Sequence, residues 1–293
     1  MPELPEVETL RRELNGAIKN KTIGSAEIKV YKMVKPLTPA NFQQKIKNKK
    51  ILGIDRRAKV LVFELSAGLF LLIHLKMSGQ LIFAPNRLKA KGHKLVVGGH
   101  PHPGGLDNLP NKFTHAIFTF SDGSKLYFND LRKFGWIKLA SKEGLEKLSN
   151  EFGPEPLEKE FTLKKFKEIL NKYPKRKIKQ VLMDQSLIAG IGNIYADESC
   201  FCSGILPTRI VKNIKPKEAE KLYRCMIKIL KFAISKKGTS ANTYIQLDGS
   251  KGGMKPYLKV YGRKGEKCKK CGGTIQKIKL NGRGTHFCRK CQN

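Results

Sequence analysis

The 293-residue chain carries 58 Lys plus Arg against 24 Asp plus Glu, a formal net charge of +34, with 40% apolar residues. That length and apolar share are enough for two domains and a sizeable core, which excludes a disordered chain. The charge repels itself unless a polyanion neutralises it, so nucleic acid is the leading partner and an anionic membrane surface the second. No run approaches the roughly 18 apolar residues that span a bilayer, and the N-terminus lacks the basic and then apolar pattern of a secretion signal.

The chain opens MPELPEVETL. Val7, Leu10, Leu14 and Ile18 recur at spacings of three and four, predicting an amphipathic helix that Pro5 suits as an opening residue. Glu3 and Glu6 then lie at the positive end of its dipole. A catalytic reading is also open. Loss of Met1 would leave Pro2 as a secondary terminal amine beside carboxylates. Terminal amines titrate near pH ~8, against ~10 for lysine, so part of the population is unprotonated and nucleophilic. These ten residues alone favour the plain helix.

Residues 22 to 140 read as short strands separated by turn residues, with Ser121, Asp122 and Gly123 forming a hairpin turn. Strands following one helix predict a β-sandwich with that helix at its side. The stretch from 86 to 112, rich in Gly, Pro and His, reads as a loop; His100 and His102 in it have no further ligands beside them. GPEPLEKEF, around 153 to 161, reads as a linker. Helical patterns follow. Thr162 caps one bearing Leu163, Phe166, Ile169 and Leu170, and a longer one repeats Leu222, Met226, Leu230 and Ile234. Between them Gly190 and Gly192 lead into a helix at Asn193, which reads equally as a phosphate site on exposed backbone N–H groups or as a plain turn.

Cys268, Cys271, Cys288 and Cys291 form two CxxC pairs, the spacing of a four-thiolate zinc site. Four protein ligands leave no open position, so one Zn2+ there is structural. Cys200, Cys202 and Cys225 lie in apolar helical contexts and read as buried small hydrophobes.

Together these segments resemble the bacterial formamidopyrimidine-DNA glycosylases (Fpg/MutM), relatives of the endonuclease VIII group, over nearly the whole length. The resemblance rests on MPELPEVETL, RRAKVLVFEL, HLKMSGQL, NDLRKFG, LMDQSLIAGIGNIYADE and the cysteine-bearing end from VYGRKGEKC onward. It implies an α+β multidomain fold: an N-terminal β-sandwich with flanking helices (1–150), a linker (151–163), a helix-two-turns-helix domain with a lesion-capping loop (164–254), and a zinc-finger β-hairpin (255–293). It further implies a bifunctional DNA glycosylase and AP lyase acting on oxidised purines in double-stranded DNA, as a monomer, in the bacterial cytoplasm at the nucleoid. The alternatives are an oxidised-pyrimidine glycosylase of the endonuclease VIII type and a non-enzymatic zinc-ribbon DNA-binding protein.

By the same resemblance Pro2 is the nucleophile, Glu3 the general acid and Glu6 a contributor to the site's polarity. Lys59 serves β-elimination and holds the lesion's phosphate, and Arg283 grips that phosphate and serves δ-elimination. Met77, Arg132 and Phe134 fill the void left by an extruded base. His74 and Asn193 contact phosphates, Lys175 to Lys179 add backbone affinity, and Tyr244 belongs to the capping loop. The chain departs from the family pattern at Phe113, where a histidine is common, and at Lys76, where glycine is common. Its 86–112 stretch has no counterpart.

Overall fold

The computed structural model describes residues 1–86, 95–100, 108–239 and 253–293. The chain divides into two units, residues 1–149 with 236–253 and residues 150–235 with 254–293.

In the first unit the predicted helix is α1 (Leu4–Ile18), whose Val7, Leu10, Leu14 and Ile18 are all 1% exposed or less. The strands that follow are β1 (Ile23–Ile28), β2 (Ile51–Arg57), β3 (Val60–Leu65), β4 (Leu69–His74), β5 (Gly79–Ala84), β6 (Val96–Gly99), β7 (Thr114–Phe120), β8 (Lys125–Asp130) and β9 (Trp136–Ala140). They form two antiparallel sheets, ordered β1-β7-β8-β5-β6 and β2-β3-β4-β9. Side chains alternate across each strand, so Leu61, Phe63 and Leu65 of β3 and Leu126 and Phe128 of β8 share one core with α1. The turn at Ser121 to Gly123 closes the β7–β8 hairpin as expected; Gly123 has φ +81°, and Asp122 Oδ1 accepts from Ser124 N at 3.0 Å.

Two elements depart from the sequence reading. A short helix, α2 (Pro39–Ile46), is capped by Thr38, whose hydroxyl accepts from Asn41 N at 3.2 Å. It buries Phe42 and Ile46 and shows too few periodic positions to stand out. Within the stretch read as a loop, β6 pairs with β5. A Cβ on Gly98 would lie 2.5 Å from Leu10 Cδ1, so glycine there admits α1 onto the sheet. Gly98, read as loop punctuation, therefore serves close packing. After β9 comes α3 (Lys142–Asn150).

The second unit contains α4 (Leu163–Lys172), α5 (Ile178–Met183), α6 (Asn193–Ser203) and α7 (Pro216–Ser235) around a core that includes Phe166, Leu170, Tyr195, Leu222, Met226 and Leu230. Thr162 caps α4 as expected, its hydroxyl accepting from Lys165 N at 3.2 Å. One expectation is corrected: Cys202 of α6 and Cys225 of α7 are joined by a disulfide, with Cα atoms 5.8 Å apart, rather than being separate buried hydrophobes. The two helices pack side by side, which brings distant cysteines within reach. Cys200 is buried and free, as read from sequence, and burial pushes its thiol pKa up. The chain closes on the hairpin β10 (Ile275–Leu280) and β11 (Arg283–Cys288). No described helix is long and apolar enough to cross a membrane.

Because Leu14 is fully buried between α1 and the sheets, Leu14→Ala is expected to lower unfolding free energy by about 2–5 kcal/mol, measured by urea titration.

Candidate functional site

The chain start is buried. Pro2 lies inside an exposed Met1, and Glu3, at 3% exposure, is the N-cap residue of α1. Glu6 holds this start from one turn further on. Its Oε2 accepts from Glu3 N at 2.8 Å, while its Oε1 accepts from Thr239 N at 2.7 Å and Thr239 Oγ1 at 3.1 Å. Gly238, at φ +75°, would place a Cβ 2.6 Å from Glu6 Oε1, so only glycine permits the approach. The sequence motif assigns Glu6 polarity alone; in the structure it links the chain start to the segment leading toward Tyr244. Tyr244 itself lies outside the described residues.

Lys59 follows Ala58, whose φ of +53° turns β2 into β3, and it is 5% exposed. A plain surface lysine is thereby ruled out at this position. Arg56 of β2 donates to Ala58 O at 2.9 Å and to Glu8 Oε2 at 3.3 Å, tying the lysine's turn to α1. Burial opposes charge on Glu8, but hydrogen bonds from Arg11 and Arg12 outweigh it and hold the carboxyl below its ordinary range. Glu8 and Arg56 carry no motif signal, since a helical Glu among arginines reads as a solvated face.

His74 ends β4 opposite Val60, the residue after Lys59. Lys76 N donates to its Nδ1 at 2.8 Å. Burial, then the charges of Lys76 and Lys59, push its pKa down to about 3. A neutral imidazole whose Nδ1 accepts must carry its proton on Nε2, a donor suited to a phosphate oxygen.

Met77 is half-buried in the turn between β4 and β5. Lys76 beside it has φ +49°, a backbone that costs glycine least, so the departure from the family pattern falls where the backbone favours glycine. Arg132 and Phe134, between β8 and β9, are exposed, with the guanidinium 4.6 Å from the ring centre. At 51% exposure Phe134 does not serve core packing. The carbonyl of Phe113 accepts from Asp130 N at 2.9 Å, and Lys112 Nζ sits 5.3 Å from its ring centre.

In the second unit Arg283 is exposed at the start of β11, directly after the turn residues Asn281 (φ +47°) and Gly282 (φ +73°). Two left-handed residues in an Asn-Gly pair make the tight turn of a two-residue hairpin. The next carbonyl, Gly284 O, accepts from Asn193 Nδ2 at 2.9 Å and from Lys179 Nζ at 3.3 Å. Lys179 therefore departs from its expected role in backbone affinity. It is 1% exposed, paired with Asp197 at 2.6 Å and donating to Thr285 Oγ1 at 2.8 Å. Asp197 Oδ2 in turn accepts from His286 N at 2.8 Å. Lys175 remains exposed ahead of α5. Arg176, Asp184, Asn281 and Arg283 border a cleft of about 230 Å³, in which Arg176 pairs with Asp184 at 2.9 Å.

The four sulfurs of Cys268, Cys271, Cys288 and Cys291 lie within 4.8 Å of one another, including Cys268 to Cys291 at 3.8 Å and Cys271 to Cys288 at 3.5 Å. Tetrahedral Zn–S bonds of about 2.3 Å put sulfurs roughly 3.8 Å apart, so the donor set fits one zinc ion. Glu198 of α6 fixes the chain entering this hairpin, accepting from the amides of Lys259, Val260 and Tyr261 at 2.9 Å each. Burial raises its pKa despite those donors.

Three domain families match the chain. The formamidopyrimidine-DNA glycosylase N-terminal domain matches residues 1–137, the H2TH domain of the same enzymes residues 152–244, and the zinc finger found in FPG and IleRS residues 265–293. A formamidopyrimidine-DNA glycosylase of Heliobacterium modesticaldum is 38% identical over 294 residues, covering 100% of both chains. Among solved structures, a complex of Lactococcus lactis Fpg with DNA containing an abasic site has a TM-score of 0.85 and 39% identity, covering 99% of each chain. MutM in complex with DNA containing carbocyclic 8-oxo-G has a TM-score of 0.84 and 38% identity, covering 100% of each. The cysteine tetrad is accordingly a structural zinc site.

Chelating the zinc is expected to abolish hydrogen-exchange protection in β10 and β11 while β3 keeps its own, since the metal organises only its own hairpin. His74 also makes stability depend on pH. With its folded pKa depressed below 6.5, its stabilising contribution is complete above that pH and is lost as pH falls toward about 3. Urea titrations at about pH 7 and about pH 5 should therefore show a difference that shrinks in His74→Gln.

Proposed function

The chain belongs to the formamidopyrimidine-DNA glycosylase family, and we propose that it is a bifunctional DNA glycosylase and AP lyase of base excision repair that removes 8-oxoguanine and formamidopyrimidines. The observation that carries this reading is the buried chain start, where Pro2 and Glu3 precede a helix clamped by Glu6. Similarity over the whole length to a protein bound to 8-oxo-G DNA supports the substrate class.

Removal of Met1 frees the Pro2 amine. Its nitrogen attacks C1' of the damaged nucleotide, the bond from C1' to the base breaks, and the base leaves with a proton. Glu3 protonates the sugar ring oxygen as the ring opens, leaving an iminium between Pro2 and C1'. The iminium withdraws electrons, so the C2' proton is lost and the bond to the 3' phosphate breaks; a second elimination releases the 5' phosphate. Lys59 serves the first elimination. Arg283 grips the phosphate, for which a rigid guanidinium fork is suited, and serves the second.

Met77, Arg132 and Phe134 occupy the space vacated by the extruded base, with an apolar wedge lowering the cost of unstacking and the arginine facing the orphaned partner. His74, Lys175 and Asn193 contact phosphates, and Tyr244 belongs to the loop that covers the lesion. The domain limits are those implied by the resemblance, 1–150, 151–163, 164–254 and 255–293. The protein works as a monomer in the bacterial cytoplasm, at the nucleoid, without a membrane partner.

Borohydride added during reaction with a duplex carrying 8-oxoguanine opposite cytosine should trap a covalent complex, detected by its shifted mass. No trapped species from protein lacking Met1 would sink the proposal. Glu3→Gln should slow formation of the borohydride-trapped complex by about 10²- to 10⁴-fold in single-turnover assays. Duplex affinity should fall by about 10³-fold or more between about 50 mM and about 200 mM salt if six or more phosphates are neutralised; a flat titration would contradict a phosphate-gripping cation surface.

A further inference from the structure

The turn bearing Met77 and the loop bearing Arg132 and Phe134 leave different strands, yet one fully buried carboxylate holds both. Asp130 Oδ1 accepts from Ser78 Oγ at 2.5 Å and from Arg132 N at 3.1 Å, and its Oδ2 accepts from Gly135 N at 2.7 Å. Ser78 Oγ closes the triangle by accepting from Arg132 N at 3.0 Å. The carboxylate thus grips the 131–134 loop at both ends and the residue after Met77 at the same time.

The backbone of Asp130 is fixed as firmly. Its N–H donates to Phe113 O at 2.9 Å, and His115 Nε2 lies 2.8 Å from its carbonyl oxygen. Burial keeps the His115 pKa below its ordinary value, so the neutral ring donates from Nε2. Gly135 completes the arrangement, since a Cβ there would lie 2.5 Å from Phe128 Cζ and 3.1 Å from Asp130 Oδ2. The loop it grips faces outward: Leu131 and Phe134 are about half exposed and Lys133 sits at φ +54°.

We infer that Asp130 is a positioning residue that joins Met77, Arg132 and Phe134 into one preorganised wedge for base extrusion, and this rests on the glycosylase function proposed above. A wedge that must be ordered during extrusion charges its ordering entropy to that step; one already held by a buried carboxylate does not. The effect falls on removal of an intact base from duplex and not on strand scission at a site whose base is already gone.

The test uses the full-length, zinc-loaded protein lacking Met1 and two substrates, a duplex with 8-oxoguanine opposite cytosine and the same duplex with a preformed abasic site. Asp130→Asn keeps the volume and one acceptor oxygen but cannot accept at both positions. It should slow excision by about tenfold to a hundredfold, the loss expected for a charge-assisted hydrogen bond, and leave abasic-site scission within about twofold. Ser78→Ala, which keeps the carboxylate, should show the same selectivity at a few-fold and decides the matter if Asp130→Asn does not fold. Unchanged excision in both variants, or excision and scission falling together, would overturn the positioning role. Wild-type protein that neither excises nor cleaves would overturn the functional reading, and this inference with it.

Discussion

With Met1 removed, Pro2 would have one covalent neighbour instead of two, and its place would depend on how firmly the residues just after it are held. In this fold that anchorage comes from α1, which buries Val7, Leu10, Leu14 and Ile18 against the sheets, and from Glu6, which receives the Glu3 amide and the Thr239 amide on its two oxygens. The lysine of the same unit is held from the same helix, through Glu8, Arg56 and the carbonyl of Ala58. The apolar stripe of one helix therefore sets the position of several polar groups, which explains why so ordinary a pattern opens the chain.

Charges of opposite sign divide the labour in this protein. Acids are scarce, 24 against 58 bases, and several lie inside. Glu6, Glu8, Asp130, Asp197 and Glu198 are all 9% exposed or less, and each receives hydrogen bonds from backbone or cationic groups that fix a turn, a loop or a strand. A buried carboxylate left unpaired is costly, so its donors are held in place as strictly as it is. The bases, by contrast, largely stay on the surface. Acids specify the shape, and the excess of bases confers affinity for a polyanion.

What was legible in the sequence follows from this division. The helix α1, most strands of the sandwich, the Thr162 cap, the Ser-Asp-Gly turn and the zinc cysteines each have a local signature in periodicity, turn chemistry or spacing. The parts not legible are those whose meaning comes from a distant partner. Gly98 reads as loop until Leu10 is laid over it, and Lys179 reads as one more surface lysine until Asp197 is placed 2.6 Å away. Cys202 and Cys225 lie 23 residues apart with nothing local to pair them. Asp130 sits inside a recognised motif, yet its flanking arginine and phenylalanine attract the attention while its carboxylate reaches back 52 residues to Ser78.

The Asn281-Gly282 turn carries a consequence for how this protein can change. In a two-residue hairpin the pairing of Leu280 with Arg283 fixes that of Ile275 with Cys288, so the metal and the arginine share one phase along the ladder. A strand's side chains alternate between faces, and a shift of one residue sends every side chain to the opposite face. An insertion of one residue between Arg283 and Cys288 would thus turn the guanidinium away from the face it now occupies while every ligand and every motif residue survived. The hairpin depends on a count as well as a composition, and a change in its length would leave every one of those residues in place.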